Sequence, residues 1–292
     1  MHDGVTLALR MTPAAGRTRA VAIALHGIND YSRAWQDAMN YWSDEGIAIY
    51  AYDQRGFGAN ERPGIWPTAQ TLADDLVTVT ALVRRKHPDK PLYLIGESMG
   101  SAVIMSVLGR DNPPKVAGAI LGAPAVWARV TMSGTYQKVL AGMRNMFPGM
   151  VLTGSGLRRQ ATDNIAELRR MGRDPLVVKG ARVDAIAGLV NLMDAAYHAA
   201  PRIRAPLLLL YGERDEIVPR HAVRRTVGRF TADPLIAVYP RGWHMLYRDL
   251  NSPILHNDVR HWMLKGGRRL PSGAEKNADL LLGTVSTAAN SS

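Results

Sequence analysis

The pentapeptide Gly96-Glu97-Ser98-Met99-Gly100 carries the strongest chemical signal in the chain. A short apolar run, Leu92-Tyr93-Leu94-Ile95, precedes it, and the stretch from Ala102 to Leu108 that follows reads as helix. A serine in such a Gly-x-Ser-x-Gly turn is lifted above the sheet edge at a helix start. The small end residues let the chain turn tightly, and N–H groups of the first helical turn can meet a developing negative charge. A serine hydroxyl is a weak nucleophile at neutral pH. It needs a base within hydrogen-bond reach and a carboxylate to orient that base. Both follow in sequence. Asp215 closes Tyr211-Gly212-Glu213-Arg214-Asp215, after the run Pro206 to Tyr211, and His244 closes Pro240-Arg241-Gly242-Trp243-His244, after Leu235 to Tyr239. The order Ser, acid, His suits a strand-turn-helix elbow, and both partners fall beyond the C-terminal ends of strands, where open α/β sheets place their sites. Glu213 competes for the acid role but sits two residues nearer the strand end. His221 and His256 fall on helical segments and are weaker bases by position.

An oxyanion needs two backbone donors. The Met99 N–H, directly after the serine, is one. The Ile28 N–H, in the loop His26-Gly27-Ile28-Asn29-Asp30, is the expected second. His26 precedes the small residue of that loop and is expected to brace it rather than to act as base. Asp53 and Arg55 are expected to hold a turn that Gly56 and Gly58 punctuate.

These groups demand a sheet that brings their loops to one edge. The sequence supplies it. Residues 5–11 read as an edge strand. Val21–Leu25, Ile47–Tyr52, 92–95, Val116–Leu121, Pro206–Tyr211 and Leu235–Tyr239 read as buried strands. Helical spacing appears over 35–42, 71–83, 220–229 and 259–264. Strands apolar on both faces, alternating with helices, predict an α/β fold with a mostly parallel sheet covered on both sides. The alternation breaks from 125 to 200, which reads as a helical cap inserted into a core formed by 1–124 and 201–265. Residues 266–292 are rich in Gly, Ser, Ala and Asn and read as a flexible tail.

The chain has 292 residues and no cysteine, which excludes disulfides, thiolate ligands and a cysteine nucleophile. No metal-ligand spacing, dinucleotide fingerprint or phosphate loop occurs, so neither cofactor nor metal is expected. The opening Met1-His2-Asp3-Gly4 lacks a signal-peptide pattern, and as written the chain is expected to be cytoplasmic. Lys and Arg number 36 against 25 Asp and Glu, a net charge of +11. Between Gly122 and Arg204 there are 12 Lys/Arg and 5 Asp/Glu, a net of +7. That concentration, without any nucleic-acid-binding module, argues against nucleic acid. It fits a solvated helical surface or, more sharply, contact with an anionic membrane surface.

His26-Gly27-Ile28, Asp53-Gln54-Arg55-Gly56-Phe57-Gly58, Gly96-Glu97-Ser98-Met99-Gly100, Gly212-Glu213-Arg214-Asp215 with Val218-Pro219, and His244 occur in order within residues 5–264. In this the chain resembles α/β-hydrolases of the monoacylglycerol lipase and lysophospholipase type, also called serine aminopeptidase S33. The resemblance implies a serine hydrolase that cleaves acyl esters of glycerol or glycerophospholipid, small lipid-like substrates, through an acyl-enzyme on Ser98. It also implies an opening hairpin whose first strand this sequence lacks. Asn29-Asp30 departs from the Gly and acidic residue common there, and the cap is unusually basic and rich in methionine. Met132, Met143, Met146, Phe147, Met150 and Leu152 in the insertion fit an acyl-site lining, flexible methionine suiting a variable chain, or equally plain packing of cap against core. An amidase, peptidase or acyltransferase would use the same three residues. A binding protein that kept only the fold would not need them intact.

Overall fold

The computed structural model describes residues 1, 3–153 and 159–283. A seven-stranded sheet runs in the order β1-β3-β2-β4-β5-β8-β9. Its strands are β1 (Leu9–Thr12), β2 (Ala20–Leu25), β3 (Ile47–Tyr52), β4 (Leu92–Glu97), β5 (Gly118–Gly122), β8 (Leu207–Gly212) and β9 (Leu235–Tyr239). Only β1 pairs antiparallel; the other pairings are parallel. The strands β2, β3, β5 and β8 are buried along their whole length, the physical reason that they read as continuous apolar runs.

Helices α1 (Gln36–Asp44) and α8 (Ser252–Lys265) cover one face, where Trp35, Trp42 and Trp262 join Ile47, Ile49 and Leu208. The Trp42 indole N–H donates to the His256 carbonyl at 2.9 Å, fixing α1 to α8. Helices α2 (Ala69–Lys86) and α3 (Met99–Leu108) cover the other face. Helix α2 starts where the Thr68 hydroxyl caps the Thr71 N–H and ends on Arg84, Arg85 and Lys86, whose charge opposes the negative end of the helix dipole. α7 (Arg220–Val227) links β8 to β9.

The stretch 125–200 is an inserted, mainly helical region, but it is not uniform. α4 (Gly134–Met146) and α5 (Ile165–Arg173) have no buried residue. A ribbon of two short strands, β6 (Val151–Leu152) and β7 (Ala181–Arg182), joins them to α6, so the expectation of no strand here fails at these four residues. α6 (Val183–Ala199) buries ten of its residues and shares the core cluster of α2 and α3. It is a layer helix of the core, reached after the exposed part of the insertion.

The expectation of a loose tail is overturned as far as Gly283. A 3-10 turn (Ala274–Asn277) and α9 (Ala278–Leu282) pack back on β9. Leu270 and Ala274 join the cluster of Leu235 and Ala237, while Leu281 joins that of Ile236 and Val238. The Asn277 amide donates to the Val238 carbonyl at 3.1 Å. Spaced apolar residues anchor the segment despite its Gly- and Ser-rich composition. Residues 284–292 lie outside the described residues.

Candidate active site

Ser98 follows β4 directly and precedes α3. Its backbone sits at φ 53°, ψ −112°, a sparsely populated conformation for a residue with a side chain. The flanking glycines are needed because backbone crowds them on two sides. A β-carbon at Gly96 would fall 2.4 Å from the Ser101 nitrogen, and one at Gly100 would fall 2.2 Å from the Leu25 carbonyl oxygen. The elbow is thus wedged between its own helix and β2.

The loop after β2 lies against it. A β-carbon on Gly27 would stand 3.5 Å from that of Ser98. His26 donates from Nδ1 to the Gly27 carbonyl at 2.7 Å and accepts the Gln54 N–H on Nε2 at 2.9 Å. Both nitrogens are therefore spent on the loop, and burial holds the ring's pKa below the usual imidazole range. His26 braces, as its position suggested. Asp53 accepts the Ser32 and Ala59 N–H groups, each at 2.8 Å, and Arg55 pairs with Asp75 and Asp3, each at 2.7 Å. That turn is structural.

Asp215 and His244 meet. His244 Nδ1–H donates to Asp215 Oδ2 at 2.8 Å, and Asp215 Oδ1 accepts the Ile217 and Val218 N–H groups at 2.7 and 2.9 Å. Burial pushes the His244 pKa down, but the charge and hydrogen bond of Asp215, aided by Glu97, outweigh it and leave the imidazole above its ordinary value. Nε2 is the nitrogen left for Ser98. Among the described residues neither Nε2 nor Ser98 Oγ has a hydrogen-bond partner, so the hydrogen bonds expected on both sides of His244 are found on the Asp215 side alone. Catalytic hydrogen bonds of this kind often tighten only around substrate. His256 is remote from this role: its Nε2 bonds the Tyr247 carbonyl at 3.0 Å, and burial lowers its pKa to about 4. His221 faces the Thr131 carbonyl.

The inserted region crosses all three loops. The Gln160 N–H meets Glu216 Oε2 at 2.7 Å beside Asp215, the Met245 N–H donates to the Ala161 carbonyl at 2.8 Å beside His244, and the Val178 N–H donates to the Asn29 carbonyl at 2.9 Å beside Ile28. The Ile28 and Met99 N–H groups have no protein acceptor among the described residues. Of the residues offered for an acyl lining, four stand at the surface. Met146, Phe147, Met150 and Leu152 are 70%, 54%, 40% and 38% exposed. Met132 borders a small cavity of about 70 Å³ with Leu140 and Val190. An apolar cavity of about 370 Å³ lies behind the His244 loop, between Leu246, Leu255 and Ala274, away from Ser98.

Sequence reasoning missed one constellation. Arg248, buried four residues after His244, reaches Asp30 at 2.5 Å, Glu97 at 2.6 Å and Glu167 at 3.3 Å. The available signal was the acidic residue inside Gly-x-Ser-x-Gly, where a buried carboxylate requires a cation. Among the described residues no group of three His, Asp or Glu side chains can hold a metal ion, and no helix is long and apolar enough to cross a membrane.

Parallel sheet, strained serine elbow, bracing histidine loop and inserted cap define an α/β-hydrolase. A family model described as serine aminopeptidase, S33, matches residues 16–251, and the chain belongs to that family of serine hydrolases, within the lipase and esterase clan. It is 24% identical over 251 residues to a monoacylglycerol lipase of Mycolicibacterium smegmatis, covering 84% of this chain and 88% of that protein. It is 26% identical over 266 residues to monoglyceride lipase of Mus musculus, covering 89% and 86%. The crystal structure of Paleococcus ferrophilus monoacylglycerol lipase superposes with a TM-score of 0.76 at 20% identity, covering 90% of this chain and all of that one. A soluble variant of monoglyceride lipase from Saccharomyces cerevisiae gives 0.77 at 19%, covering 90% and 93%.

Proposed function

We propose that the protein hydrolyses lipid-like acyl esters of the monoacylglycerol or lysophospholipid type through a triad of Ser98, His244 and Asp215. The observation that carries this reading is the bond from His244 Nδ1–H to a fully engaged Asp215. It leaves Nε2 as the basic nitrogen, free to serve Ser98. His244 takes the Ser98 proton as the oxygen attacks the acyl carbon. The tetrahedral oxyanion accepts the Ile28 and Met99 N–H groups. His244 then protonates the leaving alcohol, and water, activated by the same nitrogen, hydrolyses the acyl-enzyme.

The exposed face of α4 and the following ribbon supports contact with a lipid surface. Tyr136, Val139, Met146, Phe147 and Val151 are each more than half exposed, and Lys138 and Arg144 stand exposed among them. Such a face suits an anionic bilayer or micelle, into which apolar side chains can insert while cations meet headgroups.

Ser98→Ala tests the assignment. Turnover of a p-nitrophenyl ester series should fall by several orders of magnitude with the fold intact, since triad members act as a unit. More than a few per cent of wild-type turnover in the purified variant rules the triad out. Faster cleavage of aminoacyl amides than of esters by the wild type rules out the ester reading. Equal binding to neutral and anionic vesicles at low salt rules out the anionic preference, because that attraction is electrostatic and screened over about 8–10 Å near physiological salt.

A further inference from the structure

We propose that Arg248 is a positioning residue: it locks the Ile28 loop against the Ser98 elbow and makes that lock depend on the seating of cap helix α5 through Glu167. This rests on the oxyanion role assigned above to Ile28 and Met99.

One guanidinium here joins segments distant in sequence. Nη2 bonds Glu97, the residue before Ser98. Nη1 bonds Asp30, two residues after Ile28, and reaches Glu167 on α5. The same nitrogen lies 3.8 Å from the Met171 sulfur of α5. Only arginine offers a planar fork of donors that can face several carboxylates at once. Asp30 Oδ1 in turn accepts the Tyr31 N–H at 2.8 Å, so the carboxylate ties the loop to itself and to Arg248.

The cap holds the residues that follow Ile28 at further points. The Val178 N–H donates to the Asn29 carbonyl, and the Tyr31 hydroxyl donates to Asp174 Oδ2 at 2.7 Å. Asp174 pairs with Arg170 at 3.0 Å, and Arg170 pairs with Glu167 at 2.7 Å. Asn29, Asp30 and Tyr31 are thus each tied to 167–178, Asp30 through Arg248. Asn29 sits at φ 66°, a left-handed conformation that asparagine adopts more readily than most residues. If α5 lifts, the loop loses these ties together, and the Ile28 donor loses its place beside Met99.

Packing alone does not account for the cluster. Charges taken out of water are expensive, and apolar side chains of similar volume commonly serve stability as well or better. A hydrogen-bonded ionic cluster adds a fixed geometry. Glu97 and Arg248 also act on the charge of His244 in opposite directions: Glu97, like Asp215, favours the imidazolium and Arg248 opposes it.

The test uses the full chain and a p-nitrophenyl ester, with Arg248→Lys, Glu167→Gln, the double variant and Glu97→Gln. A lysine keeps the charge but not the fork. Arg248→Lys should lower kcat by about 10–100-fold, at or below the loss of one oxyanion donor, with KM within about threefold. Glu167→Gln should lower kcat by about 3–10-fold, and the double variant should be no worse than Arg248→Lys, as expected of residues acting as one unit. Glu97→Gln should move the acid limb of the pH profile to lower pH. Wild-type kcat in Arg248→Lys, or losses that multiply in the double variant, overturns the proposal. If the Arg248 variant does not fold, Glu167→Gln decides alone, and wild-type kcat in it overturns the coupling. An inactive Ser98→Ala beside an unaffected Arg248→Lys defeats this inference and leaves the triad standing. An active Ser98→Ala defeats the triad itself.

Discussion

Two charged constellations, one around His244 and one around Arg248, are built on different plans. The Asp215–His244 pair is small and closed: among the described residues, the carboxylate's accepted hydrogen bonds come from its own turn and from the imidazole. The Arg248 cluster sets one cation against carboxylates from the loop after β2, the elbow and the cap, and among the described residues it leaves Arg248 Nε and Glu97 Oε1 without a partner. A group that must gain and lose a proton each cycle works best where nothing else moves when it does. A group that fixes distant segments gains by touching many of them, even with an atom left over. The first arrangement suits chemistry and the second suits position.

Breaking each constellation should therefore show different losses. Asp215→Asn should give the largest effect on rate, a drop of about 10³–10⁴-fold in kcat, because an amide favours the wrong imidazole tautomer. Its effect on stability should be about 1.5–3 kcal/mol, the worth of hydrogen bonds to a charged group, read from urea unfolding. Arg248→Met should reverse the emphasis. Removing the cation strands Asp30 and Glu97 in the interior, and urea midpoints should report a loss of about 3–5 kcal/mol.

The pH profile sharpens the contrast without mutation. Against burial, the Asp215 charge holds the His244 pKa above the ordinary imidazole value. With His244 as the proposed base, kcat/KM should rise with pH through an inflection above that value. Asp215→Asn should move the inflection down. The same linkage acts on stability. A raised folded-state pKa stabilises the fold fully below the ordinary imidazole value, and that contribution fades as pH rises through the folded value. Melting curves of wild type and Asp215→Asn should converge over that window. The smallest effect belongs to an exposed pair used as control. Arg268 and Asp233, with side chains 60% and 82% exposed, meet at 2.9 Å. Arg268→Ala should change stability by no more than about 0.5 kcal/mol.

The parts of this architecture that repeat along the chain were legible in the sequence. Continuous apolar strands such as Leu207–Gly212 must be buried on both faces, and that alone predicts a covered parallel sheet. The elbow was legible because steric crowding at Gly96 and Gly100 admits no side chain. The meeting of Asp215 and His244 was legible by place, each lying just beyond a strand. Arg248 was not, because its partners lie 218, 151 and 81 residues away and share no local pattern. α6 was read with the cap because the alternation of strand and helix resumes only at β8. Its small residues, Ala185, Ala187, Gly188 and Ala196, allow close approach to the core without a strong apolar stripe. The exposure of Met146 and Phe147 was not legible, because methionine and phenylalanine spacing does not reveal which face of a helix meets water.

The C-terminal segment has a consequence for the molecule in solution. β9 is the last strand of the sheet, so one side of its backbone would otherwise stand open to another chain. Residues 270–282 wrap that side, placing Leu270 and Ala274 under one face and Leu281 over the other, with Asn277 occupying the Val238 carbonyl between them. They act as a selvedge, finishing the border of the sheet so that it cannot be extended by a stray strand. A chain cut after Lys265 would keep Ser98, Asp215 and His244, yet it would expose a ready template for edge-to-edge association, and its shelf life would be limited by clumping before any loss of chemistry.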